Sequence, residues 1–127
     1  MDFRPGFRVS EVDIGVLIAG VLISALLVRF DESFAVAVLF TLGHFFLFCN
    51  VLRMSRPLEL LWAVIFIMLA GSTFRFGLPP FIYTLLIMFV VTTILATVQI
   101  QRPSYHGAFW RQLNPNLPQW WAKNRKK

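Results

Sequence analysis

The sequence is poor in charge. Asp, Glu, Lys and Arg make up 14% of its 127 residues, against about a quarter in an ordinary soluble domain. Cysteine occurs once, as Cys49, which excludes an internal disulfide and any thiolate cluster of the CxxC type. There is no metal-ligand cluster, no nucleophile motif and no glycine loop of the kind that cradles phosphate. No pair of carboxylates is spaced for acid–base work. These absences argue against an enzyme. A nucleic-acid partner is excluded on different grounds: the net charge is +6, but the basic residues sit outside the apolar runs instead of forming a polar, aromatic-lined face.

What the chain has in quantity is apolar surface. Hydrophobic residues reach 57%, with 14 phenylalanines. A soluble domain of this length has no means of hiding so much, because small domains bury a limited fraction of their area. The length suits one domain. Four segments, 12–28, 34–52, 58–74 and 81–100, approach the roughly 17–25 apolar residues that a spanning helix needs. None contains proline, so none calls for a break in its hydrogen-bond ladder, and in lipid only helices and closed barrels keep the backbone paired. The joints carry helix punctuation. Asp31 or Ser33 suits the N-cap of the second helix and Pro57 the first turn of the third. Gly77 suits the end of the third, and Pro79 with Pro80 the entry to the fourth. Links this short make neighbours antiparallel. The expected fold is all-α, a polytopic integral membrane protein built as an up-down bundle of four transmembrane helices. A segment 1–11 precedes it and a tail 101–127 follows. Glu11 and Asp13 spoil a basic leader region, and "ISALLVRFDES" is a poor cleavage site, so the first helix is expected to stay.

Orientation follows from the basic residues. With four crossings, the N-terminus, the second loop and the tail share one side, which holds Arg4, Arg8, Arg53, Arg56, Arg102, Arg111, Lys123, Arg125, Lys126 and Lys127. The other side holds Arg29 and Arg75. This bias predicts both termini in the cytoplasm of a bacterium, with the bundle in its inner membrane. Trp62 and Tyr83 are placed for the interfacial belts.

Small residues supply the packing candidates, since helices in lipid associate through close contact. The first helix offers Gly15-x3-Ala19 and Gly20-x3-Ser24, and the fourth gathers Thr92, Thr93, Ala96 and Thr97 on one arc. Packing is the expected use, and a permeation path lined by the threonines is the alternative. His44 lies deep in the second segment on the side of Ala37, Thr41 and Phe48. Asn50 falls nearly opposite, which calls for neighbours on two sides and hints at oligomerisation or a partner. The expected role of His44 is a hydrogen bond to a threonine or a carbonyl of the next helix. It is also the one candidate cofactor ligand, for haem or pigment, and a proton relay is a further use. No cofactor is otherwise indicated. His106, in the tail, is too far along the chain to share an iron with His44 from within the bilayer.

Glu11, Asp13, Arg53, Arg56 and Glu59 gather at the inner interface. They are expected to form an ion network that fixes helix ends, with a cytoplasmic gate as the alternative. The tail is broken by Pro103, Pro115 and Pro118 and mixes Tyr105, Phe109, Trp110, Trp120 and Trp121 with Lys123, Arg125, Lys126 and Lys127. That mixture suits an anchor on anionic lipid or a contact with another protein. Phe3 and Phe7 repeat it in miniature, each followed by an arginine, Arg4 and Arg8.

The functional expectation is a non-catalytic accessory or structural subunit of a larger membrane complex, docking through its inner-face tail. Its partners are the lipid bilayer and either other membrane subunits or further copies of itself. A small homo-oligomeric transporter or channel is the first alternative. The chain has the size of the small multidrug-resistance transporters and the bacterial fluoride channels, but Val16 to Leu27 carries no carboxylate of the kind the former use, and the Gly-Asn pattern of the latter is absent. A haem- or pigment-binding subunit using His44 is the second.

Overall fold

The computed structural model describes residues 3–125, and among these all regular structure is helical. Helix α1 runs Glu11–Leu27, α2 Glu32–Phe46, α3 Arg56–Phe76 and α4 Phe81–Ile100. A π-helical turn, Leu47–Val51, extends α2, and two short helices, α5 (Trp110–Leu113) and α6 (Leu117–Asn124), lie in the tail. Three helical stretches, Glu32–Val51, Arg56–Phe76 and Phe81–Ile100, are long and apolar enough to cross a membrane. Helix α1 has 17 residues, the short end of the spanning range.

Local chemistry sets these boundaries. Ser10 opens α1 with a capping box: its hydroxyl accepts from the Asp13 N–H at 3.2 Å, and the Asp13 carboxylate accepts from the Ser10 N–H at 2.7 Å. Asp31 caps α2 by accepting from the Ser33 N–H at 2.7 Å. Pro57 sits in the first turn of α3, which ends at Gly77 with φ of 73°. Pro80 precedes α4.

The end of α2 departs from the uninterrupted helix expected there. The Leu52 N–H reaches back five residues to the Leu47 carbonyl at 2.8 Å, and the Met54 N–H bonds to the Phe48 carbonyl at 2.7 Å. Arg53 then takes a left-handed φ of 46° and turns the chain towards α3. Proline is not needed for this break. Widening the last turn redirects the carbonyls of residues 50 and 51 to partners outside the helix, as described below.

Helix α1 packs on α2, and α3 on α4. A Cβ on Gly20 would stand 2.7 Å from the end of the Leu42 side chain, so glycine lets that side chain lie close on α1. One turn on, the Ser24 hydroxyl donates to the Ala35 carbonyl at 2.8 Å. Between α3 and α4, Trp62 Nε1 donates to Thr92 Oγ1 at 2.9 Å, and the hydroxyls of Thr73 and Thr84 meet at 2.7 Å. The two hairpins are joined by aromatic rings rather than small residues. Phe34 stacks on Phe74 at 4.2 Å, and His44 on Trp62 at 4.7 Å. Trp62 is only 4% exposed, so it is a core ring and not the interfacial residue expected from its position.

Candidate functional site

The chemically richest region is the end of the bundle where the N-terminal segment, the 52–55 link and the tail meet. The last carbonyls of a helix lack partners within it. Here the Asn50 carbonyl accepts from the Arg8 N–H at 3.2 Å, and the Val51 carbonyl from the Ala108 N–H at 2.7 Å. Both terminal segments thus cap α2, and the Gly6 N–H joins them to each other through the His106 carbonyl at 2.7 Å. Gln99, 3% exposed, faces the link: its carbonyl oxygen is 3.4 Å from the Ser55 N–H, and its amide nitrogen is 3.4 Å from the Arg53 carbonyl. Arg102 donates to Ser55 Oγ at 2.8 Å.

The tail is seated by close contact. Tyr105 is 1% exposed and donates its hydroxyl to the Ala108 carbonyl at 2.8 Å. Burial pushes its phenol above the ordinary value. Gly107 lies against the α2 terminus so tightly that a Cβ would come 2.6 Å from the Val51 oxygen and 2.7 Å from that of Leu52. Asn114 holds the next stretch by donating to the carbonyls of Pro103 and Tyr105 at 2.7 and 3.0 Å. Phe3 packs on Trp110 and Trp121 with ring centroids 6.0 and 5.4 Å away, and Arg111 lies 5.6 Å above the Trp110 ring. Trp120 is half-buried, while Lys123 and Arg125 are exposed. Lys126 and Lys127 lie outside the described residues.

Among the described residues, the five charges expected to form one ion network do not all join. Arg56 pairs with Glu59 at 3.5 Å. Asp13 instead joins Ser10 and Asn50, whose amide donates to it at 2.9 Å. Arg53 donates to the Arg4 carbonyl, and burial, then the Arg8 charge, pulls its pKa below the ordinary arginine value. Glu11 is exposed. The division has a local cause: the capping box and the Asn50 amide hold Asp13 on the α1 side, whereas Glu59 belongs to the first turn of α3. Cys49 stands between them, its Sγ 3.7 Å from Glu59 Oε1. A cavity of about 380 Å³ opens here, walled by Cys49, Arg53, Arg56, Glu59, Gln99 and His106 among others. Among the described residues no three His, Cys, Asp or Glu side chains are grouped to hold a metal ion.

The carbonyl that His44 meets is in its own helix, not the next one. Its Nδ1 lies 2.7 Å from the Phe40 oxygen. A carbonyl only accepts, so Nδ1 is the donor in this contact and Nε2 is left for any other partner. The ring packs against Phe40 at 4.2 Å and Trp62 at 4.7 Å. Asn50 does have a different neighbour from His44, but that neighbour is the chain's own N-terminal segment.

The small-residue candidates also divide. Gly20 and Ser24 face α2, whereas Gly15 and Ala19 are exposed. Thr92 is buried against Trp62 and Ala96 is half-buried. Thr93 and Thr97 are exposed, with their hydroxyls bonded back to the carbonyls of Phe89 and Thr93. Ser10, Ser55, Gln99 and Asn114 were not singled out from sequence. Ser10-x-x-Asp13 is a readable capping box, and Gln99 is an amide in an apolar run. Nothing in the sequence pairs Ser55 or Asn114 with their distant partners.

Comparison with protein-family models, curated proteins and solved structures finds no match.

Proposed function

We propose that the chain is a non-catalytic integral membrane protein with four spans and both termini cytoplasmic. In this reading it serves as an accessory or structural subunit of a larger complex in a bacterial inner membrane. The fourth span is supported by one relationship. Arg8 precedes α1 and bonds Asn50 at the inner end of α2, while the link 28–31 joins the two helices at the other end. Helix α1 therefore covers the same height as α2, and a bilayer that α2 crosses is one that α1 crosses too. Arg29 and Arg75 mark the other end against the basic residues of the cap, in keeping with the positive-inside bias.

The observation that carries the subunit reading is the cap itself. Three chain segments are tied together at one end of the bundle, where Arg111 lies over the Trp110 ring and Lys123 and Arg125 are exposed on the same tail. The interior favours a structural role over transport: Phe40, Phe48, Trp62, Phe66 and Met88 pack on one another where α2, α3 and α4 meet, and the hollows beside them carry no continuous polar lining. A path along Thr93 and Thr97 would require a second copy to face them.

The test is native mass spectrometry of the tagged full-length protein, extracted gently from its own membrane at natural abundance. Foreign subunits at fixed stoichiometry are the expected result. A homo-oligomer without other chains would contradict it and favour the transporter, and a bound haem or pigment lost in His44→Ala would favour the cofactor reading.

A further inference from the structure

Three hollows follow one another along α2, each sharing wall residues with the next. The first is the polar cavity of about 380 Å³ at the inner end. A second, of about 190 Å³, shares Cys49, Arg56 and Glu59 with it and continues between α2 and α3 past Phe45 and Trp62. A third, of about 450 Å³, shares Thr41 and Phe45 with the second and reaches Phe34, Phe66 and, on α1, Val16. The walls change from charged to apolar along this course. In the third hollow Thr41 is the one polar side chain, and its hydroxyl is tied to the Ala37 carbonyl at 2.8 Å.

The groove follows from how the hairpins pair. Helix α2 sits close on α1 and α3 close on α4, whereas rings hold α2 and α3 apart. From Phe34 to Cys49 the helix rises about 22 Å at ~1.5 Å per residue, more than the ~15 Å depth of one leaflet's hydrocarbon. The head of the groove is electropositive. Arg53 and Arg56 line it, and Arg102 reaches Ser55 on the same wall. Glu59 is the one carboxylate on that wall and is paired with Arg56. Among the described residues no carboxylate pairs with Arg53 or Arg102, which donate instead to the neutral Arg4 carbonyl and Ser55 hydroxyl.

We propose that this groove holds one anionic glycerophospholipid, its phosphodiester between Arg53 and Arg56 and one acyl chain laid past Phe45 and Thr41 between α2 and α3. The occupant follows from the join of positive head and apolar course. A free phosphate would use the first hollow alone, and a helix of another chain would fill the groove without choosing a headgroup. The proposal rests on the membrane placement and is independent of the subunit reading.

The test uses the full chain in detergent, titrated with phosphatidylglycerol, with phosphatidylcholine of the same chains, and with glycerol phosphate, and read by native mass spectrometry. One phosphatidylglycerol per chain should be retained about fivefold more tightly than phosphatidylcholine, the worth of one cation near an anionic head. Glycerol phosphate should not compete. Arg56→Gln should remove most of that preference, because it takes one cation from the head and leaves the Glu59 carboxylate without its partner. Thr41→Trp, at the point where the two apolar hollows meet, should weaken retention of both lipids. Both positions are exposed, with the Arg56 side chain at 89%, and helical content and elution volume report whether the variants fold. The wild-type series decides the matter even without the variants. Equal retention of the two lipids, no retained lipid, or competition by glycerol phosphate would each overturn the proposal, as would a folded Thr41→Trp protein that binds like wild type.

Discussion

Asn50 and Arg8 hold each other through two hydrogen bonds: the Arg8 N–H donates to the Asn50 carbonyl at 3.2 Å, and the Asn50 amide donates to the Arg8 carbonyl at 2.6 Å. The side chain of one residue at the end of α2 thus acts as backbone for the segment that precedes α1. The same amide serves Asp13, and Asn50 is 2% exposed. Asn50→Leu keeps the volume and leaves the Arg8 carbonyl and the Asp13 carboxylate without this donor. The expected loss is about 1–3 kcal/mol, read as a lower denaturation midpoint in detergent, with faster proteolysis before residue 10. An unchanged midpoint would mean that the N-terminal segment contributes nothing to the cap.

Gly107→Ala should release the tail. Its new methyl would meet two backbone oxygens, those of Val51 and Leu52, which cannot swing aside as a side chain can. Overpacking of this kind costs ~1–3 kcal/mol. Limited proteolysis should cut the variant between residues 101 and 109 where wild type resists. Equal resistance would show that the α2 end yields.

Gly20 and Gly15 separate by what they face. A methyl at Gly20 meets the end of the flexible Leu42 side chain, whereas one at Gly15 meets nothing within 4 Å. Gly20→Ile should therefore lower stability by ~1–3 kcal/mol, and Gly15→Ile should leave the isolated chain unchanged. If Gly15→Ile alters the elution volume or strips a partner, that face of α1 is an interface.

Alkaline pH should loosen the tail through Tyr105. Burial holds the proton on the native phenol more tightly than on the unfolded one, so the native state binds more protons across the titration. The contribution is whole below about pH 10, the ordinary phenol value, and is lost as pH rises through the higher native value. The ionised oxygen also ceases to donate to Ala108. A melting-temperature profile of wild type should fall above pH 10 more steeply than that of Tyr105→Phe. Parallel profiles would remove Tyr105 from the account.

The four long helices and their joints were legible because each rests on local chemistry. Asp31, Pro57, Gly77 and the start of α4 at Phe81 all stand where the sequence places them. What escaped depends on contacts between distant segments. The π turn at the end of α2 has no proline or glycine to announce it, because its carbonyls find partners 42 and 57 residues away, in Arg8 and Ala108. The same gap explains His44, whose carbonyl lies one turn back while its ring packs across to Trp62. It explains Asn50, whose second neighbour is the start of its own chain. Trp62 and Tyr83 were assigned to the interfaces on depth alone, yet Tyr83 is 57% exposed and Trp62 is core, a difference set by which helix face meets α2.

The direct test of the account is the side on which each end of α1 lies. In a Cys49→Ser background, Val9→Cys and Phe30→Cys place single thiols at exposed positions before α1 and in the α1–α2 link. A membrane-impermeant maleimide applied to intact cells should label residue 30 and spare residue 9, with both labelled after lysis. Labelling of residue 9 in intact cells, or protection of residue 30, would contradict four spans with an inner cap.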